Sequence, residues 1–379
     1  MSESLADQSI AAACAQTGLD DFGSNSFQEG LYVYCESVTT EAQLNEIGQM
    51  AIPANIVSSL ANRLRIVDWA KQHPDVANEH IQAPLVVIGM FRAGTTLLSY
   101  LLERDDANRA LLSWEAGDSV PPPTRATLHA GPRVEASRAG NDMLEMLNPQ
   151  LGAIHHEEPD GPTECIAVMS QDFKSLTWEA ISNVPTYGRW LRGTDQRSAY
   201  EYHRLALQVL QSGGVRGRWT LKSPHHALAL DALATVYPDA QLVLLHRDPL
   251  DLCGSVCSLI SSLSGTFSDA DHQSYIAEHW VNTLVESITR IDAFRAAHPE
   301  HPIIDVQYND LVRQPVQTVE AIYGRPLAPA ASAAMSAYIA SNPKGSRGTH
   351  GYDLAKFGLN RDELRERFAG YVQRYQIPT

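Results

Sequence analysis

The chain has 379 residues, 44% of them hydrophobic and 19% charged, and its 29 basic and 44 acidic residues leave a formal net charge of −15. That composition excludes a disordered chain. The negative balance argues against bulk electrostatic binding to nucleic acid or anionic membrane, because such binding needs a positive footprint, while one local basic pocket for a small anion stays compatible with it.

The start, Met1-Ser2-Glu3-Ser4-Leu5-Ala6-Asp7, has neither the basic residues nor the apolar run of a secretory signal. No stretch reaches the ~20 apolar residues of a membrane helix, so a soluble, cytoplasmic protein is expected. Five cysteines (Cys14, Cys35, Cys165, Cys253, Cys257) are scattered and odd in number, which fits a reducing compartment. Cys253 and Cys257, four apart, read as small buried hydrophobes rather than half of a metal site.

Residues 1–80 carry helix-spaced apolar positions (Ile56, Leu60, Leu64, Ile66, Trp69) and no catalytic constellation. A mainly helical N-terminal region packing on a main domain over residues 81–379 is expected. At Pro84-Leu85-Val86-Val87-Ile88-Gly89 the composition changes to a short β-branched run ending in glycine. Two further runs are Gln241-Leu242-Val243-Leu244-Leu245 and Pro302-Ile303-Ile304-Asp305-Val306. Such runs read as buried parallel strands. Helical patterns between them (Leu97, Leu98, Leu101, Leu102; later Leu228, Leu230, Leu233, Val236) predict an α/β fold, a parallel sheet flanked by helices. The stretch from 119 to 132, with four prolines, reads as loop.

Gly89-Met90-Phe91-Arg92-Ala93-Gly94-Thr95-Thr96 follows the first strand and opens a helix. Glycines allow a tight turn, and the helix start adds partial positive charge, together a cradle for phosphate. A nucleotide triphosphatase needs lysine where Thr95 stands, so the loop suits a 5′-phosphate bearing one further anionic group better than a γ-phosphate with magnesium. Incidental glycines in an ordinary turn are the plain alternative. After the second run comes His246-Arg247-Asp248-Pro249-Leu250-Asp251, in which Asp248 is a helix N-cap and Pro249 a first helical residue. Arg247 offers a planar fork to phosphate and Ser255, two turns on, a hydroxyl. A surface pair with Asp248 or Asp251 is the alternative for Arg247. The same strand–cap–helix pattern recurs at Trp219-Thr220-Leu221-Lys222-Ser223-Pro224-His225, placing Lys222 at a strand end, where α/β sheets collect ligands.

Together these motifs resemble the sulfotransferases that use 3′-phosphoadenosine-5′-phosphosulfate (PAPS), in particular their bacterial branch. Further matches are Asp160-Gly161-Pro162-Thr163-Glu164-Cys165, Tyr308-Asn309-Asp310-Leu311-Val312-Arg313-Gln314-Pro315 and the tail Tyr352-Asp353-Leu354-Ala355-Lys356-Phe357-Gly358-Leu359. The resemblance covers residues 84 to 379 and implies a P-loop NTPase-like fold that moves a sulfuryl group to a hydroxyl or amine. It implies that Arg92, Ala93, Gly94, Thr95 and Thr96 hold the 5′-phosphosulfate, and Arg247 with Ser255 the 3′-phosphate. Arg92 departs from the lysine of many relatives. Lys344 and Arg347, in Lys344-Gly345-Ser346-Arg347-Gly348, loosely resemble the family's basic closing loop; a surface loop is the competing reading.

For the mechanism, Arg92, Lys222 and the loop N–H groups are candidates to stabilise charge on the leaving phosphate. The base candidates are Glu115, at the spacing of the catalytic glutamate of the tyrosylprotein and heparan sulfotransferases, then His225, then the cluster His155, His156, Glu157 and Glu158. No metal is expected: adjacent side chains such as His155 and His156 point apart. The acceptor is a small molecule, glycan or lipid, with Phe173, Trp178, Tyr187, Trp190 and Trp280 as pocket-lining or core aromatics. A homo-oligomer is possible. The rival functions are a nucleotide-dependent small-molecule kinase and a nucleotide-binding protein without transferase activity.

Overall fold

Alternation along a single strand decides how this molecule layers. In β1 (Leu85–Gly89) every residue is buried, yet Leu85 and Val87 belong to one apolar cluster and Val86 and Ile88 to another. Successive side chains of a strand point to opposite faces, so a strand apolar at every position must be covered on both. The cluster on the first face includes Leu98 of the helix Thr95–Glu103, which contacts β1, and Val256 of the helix Pro249–Gly265, and it extends to the N-terminal helices α1 (Leu5–Thr17), α2 (Ser26–Glu41) and α3 (Glu46–Gln72) through Leu31, Ile56 and Leu60. The second receives the helix Arg197–Ser212 through Tyr200, Leu207 and Leu210. The chain is seen here in a computed structural model that describes residues 3–154, 157–343, 351 and 353–378.

Four more strands complete the sheet: β2 (Asn108–Ala110), β3 (Arg218–Ser223), β4 (Gln241–His246) and β5 (Ile303–Gln307). Their order is β2-β3-β1-β4-β5, and every neighbouring pair is parallel. The α/β expectation is met, including the mainly helical N-terminal segment. β2 escapes sequence reading because three residues, two of them Asn and Arg, carry no β-branched signal.

Register brings the strand ends together: Ile88 lies between Ser223 and Leu244, and Gly89 pairs with Leu245. The chain builds outward from β1 to β2 and β3 on one side and to β4 and β5 on the other. The crevice beyond the carboxyl ends of β1 and β4 is therefore the switch point where open α/β sheets bind ligands.

The helix starts follow their caps. Asp248 Oδ1 accepts from the Leu250 N–H at 2.9 Å and starts the helix Pro249–Gly265. Ser223 Oγ accepts from the His225 N–H at 3.1 Å, but only a 3-10 turn, Pro224–Leu228, follows before the helix Leu230–Val236. The N-terminal helices also reach the loops around the sheet. The amide of Asn62, on α3, donates to the Ala116 carbonyl and the Gln171 side chain, and the buried Arg63 pairs with Asp172 at 2.9 Å.

Candidate active site

The glycine loop needs its glycines. A Cβ on Gly89 would lie 2.3 Å from Thr95 Cγ2, and one on Gly94 would lie 2.7 Å from the Tyr308 ring. Gly94 also has φ +100°, a backbone that L side chains rarely adopt, and caps α4 (Thr95–Glu103). Gly94→Ala is expected to cost about 1–2 kcal/mol from backbone strain alone, read as a lowered thermal midpoint.

Two guanidinium groups meet at this loop. Arg92 donates from Nε to Ser255 Oγ at 2.9 Å, and Arg247 donates from Nη1 to the Arg92 carbonyl at 2.9 Å. Arg247 also stacks over Tyr308, 4.4 Å from the ring centroid, and bonds Asp251 Oδ2 through Nε and Nη2 at 3.2 and 3.0 Å. The sequence alternative for Arg247, a pair with Asp251, is thus present, and it coexists with the loop contact. Burial, followed by the neighbouring Arg247 charge, lowers the Arg92 pKa from its ordinary value. Two like charges held this way favour an anion between them.

A cavity of about 280 Å³ opens here. Arg92, Gly94, Thr95, Thr96, Arg247 and Tyr308 line one part, and Glu164 reaches the same space. Glu164 Oε1 lies 3.4 Å from Lys222 Nζ, and Lys222, 2% exposed, sits at the end of β3 beneath it. Glu164 and Tyr308 had no role in the sequence reading; both lay within quoted motifs, and only the fold turns them toward the loop.

Glu115 sits elsewhere. It is fully buried at 0% exposure, its Oε2 accepts the Leu112 N–H at 3.0 Å, and its Oε1 pairs with Arg109. It is not among the residues that line the cavity. This is a capping, ion-paired carboxylate.

His225 is also buried away from the cavity, which its neighbour Pro224 reaches, and neither ring nitrogen has a hydrogen-bond partner among the described residues. Burial pushes its imidazole down to about 4, pushes His203 down to about 3 and holds His226 well below the ordinary value. An unfolded histidine binds its proton near 6.5, before these buried ones do. Their contribution to stability is therefore complete above pH 6.5 and is lost as pH falls toward 4. Each histidine is expected to remove up to about 1.4 kcal/mol per pH unit in that window. Denaturant midpoints measured from pH 7 to 5 check this.

Phe173, Trp178, Tyr187 and Trp280 are core residues, and Trp190 packs against the same cluster. Lys344, Arg347, His155 and His156 lie outside the described residues. Glu157 bonds the Thr163 hydroxyl at 3.1 Å and Glu158 lies 3.9 Å from Arg138. Among the described residues no group of three His, Cys, Asp or Glu side chains is arranged to hold a metal ion, and no helix is long and apolar enough to cross a membrane.

Residues 84–325 match the model of the sulfotransferase family. The chain belongs to that family. This sulfotransferase chain is similar over nearly its whole length to two solved mycobacterial structures. Sulfotransferase STF9 from Mycobacterium avium aligns with TM-score 0.89 and 30% identity, covering 98% of this chain and 97% of that one. Sulfotransferase STF1 from Mycobacterium tuberculosis H37Rv aligns with TM-score 0.85 and 32% identity, covering 96% and 98%. Among curated proteins, the omega-hydroxy-beta-dihydromenaquinone-9 sulfotransferase Stf3 of Mycobacterium bovis is 24% identical over 251 residues, 63% of this chain. The match spans 61% of that relative's length.

Proposed function

We propose that this chain transfers a sulfuryl group from PAPS to a hydroxyl or amine of a small-molecule, glycan or lipid acceptor. The observation that carries this is the pair of guanidinium groups, Arg92 and Arg247, joined to each other and to Ser255 at the start of α4. They suit an anion bearing phosphates at two places, and the loop backbone at Gly89 and Gly94 is packed too closely for any side chain there. Bound there, PAPS supplies a sulfuryl group activated by its phosphate leaving group.

The chain's own residues supply the rest. Arg92 and the N–H groups of Gly94, Thr95 and Thr96 hold anionic oxygens and stabilise negative charge that grows there, while the Ala93 N–H bonds the Met90 carbonyl at 3.1 Å. Arg247 and Ser255 hold the second phosphate, with Asp251, on the exposed side, swinging off Arg247. Lys222 adds positive charge and, 3.4 Å from Glu164 Oε1, holds that carboxylate at the cavity. Glu164, in place of Glu115, takes the proton of the acceptor hydroxyl, a contribution of about 10²–10⁴-fold for a well-placed base.

The test is calorimetric titration with adenosine 3′,5′-bisphosphate, the desulfated product. Binding is expected, and Arg247→Ala is expected to weaken it by roughly 10–100-fold through loss of charge-assisted hydrogen bonds. No heat from the folded wild-type protein, with Arg247→Ala indistinguishable, would end the proposal.

A further inference from the structure

Alongside its cations, the cavity has an apolar lining. Phe91, Ile166, Ala180, Leu259 and Leu263 line the same cavity as Arg92 and Glu164. Their side chains offer no hydrogen bond, so a polyhydroxylated group there would lose its water without compensation. Leu259 and Leu263 continue the apolar surface outward, since Leu144 and Leu151 pack against them in one cluster. Leu144 lies on the helix Pro132–Leu147, whose Met143, Met146 and Leu147 are 65%, 79% and 48% exposed. These three fall at helical spacing i, i+3, i+4, on one stripe. The residue after that helix anchors it to the cavity wall: Asn148 Nδ2 donates to the Ser262 carbonyl at 2.8 Å and to Thr266 Oγ1 at 2.9 Å.

We infer that the acceptor is an apolar alcohol, a hydroxyl at the end of a hydrocarbon chain, whose tail leaves the cavity over Leu259 and Leu263 toward the Met143–Met146–Leu147 stripe. The inference rests on the sulfuryl-transfer proposal and specifies the acceptor of that same site. The hydroxyl meets Glu164, and the tail covers surface that is otherwise exposed. Exposed methionines suit such a ligand because their flexible side chains adapt to chains of different shape.

The experiment titrates the protein with straight-chain primary alcohols of about four to twelve carbons and with maltose, in the presence and absence of saturating adenosine 3′,5′-bisphosphate. Each added methylene is expected to tighten alcohol binding by roughly 2–4-fold until the chain reaches the stripe. Maltose is expected not to bind. Met143→Ser/Met146→Ser is expected to remove the gain for the longest alcohols and to leave the shortest unaffected; Leu263→Asn is expected to weaken all of them while bisphosphate binding persists. Bisphosphate binding with absent or length-independent alcohol binding overturns this inference and leaves sulfuryl transfer standing. Alcohol binding without bisphosphate binding overturns the donor assignment and upholds the apolar site.

Discussion

Glu164→Gln is expected to lower kcat by about 10²–10⁴-fold, the range for losing a general base. Glutamine keeps the size of the side chain and an oxygen for Lys222 Nζ, which lies 3.4 Å from Glu164 Oε1 in the native protein. It cannot accept the acceptor's proton. Because Arg92, Arg247 and Ser255 are untouched, affinity for adenosine 3′,5′-bisphosphate is expected to stay within a few-fold. That separation of kcat from donor binding distinguishes a lost base from a disturbed fold. A folded Glu164→Gln protein with native kcat removes this residue from the chemistry.

Glu115→Ala is expected to act on stability instead, costing about 3–5 kcal/mol, because removing one partner strands a buried charge. The stranded charge is Arg109, only 3% exposed and stacked over Trp219 at 4.7 Å. The alanine also leaves the Leu112 N–H without its cap. A thermal midpoint lowered by many degrees is the expected result, with turnover per folded molecule within a few-fold of native. Glu115→Gln separates the two possible roles: it retains an oxygen for the Leu112 N–H and fills the site. A Glu115→Gln protein that folds normally and is inactive would return the base role to Glu115.

These two glutamates mark where sequence reading of the site succeeds and where it stops. Spacing after the glycine loop singled out Glu115, and Glu164 went by as part of a motif without a role. Nothing in the spacing reports that Arg109, six residues before Glu115, points back at it inside the protein. Equally, nothing local reports that Glu164 stands over Lys222, 58 residues further on. The aromatics near Phe173 follow the same rule: their type suited a pocket or a core, and packing against the N-terminal helices put them in the core.

The sequence by itself determined the strands β1, β4 and β5, the glycine turn at Gly94, the helix start at Asp248 and the cap at Ser223. Each depends on residues within a few positions of one another: β-branched runs, backbone freedom at glycine, a capping side chain before proline. Tertiary structure alone decided which charges share a cavity. Arg92 and Ser255 are 163 residues apart and meet only because β1 and β4 are neighbours in the sheet. Burial and charge pairing are properties of spatial neighbours, and strand order, which chooses those neighbours, is settled by covering both faces of the sheet at once.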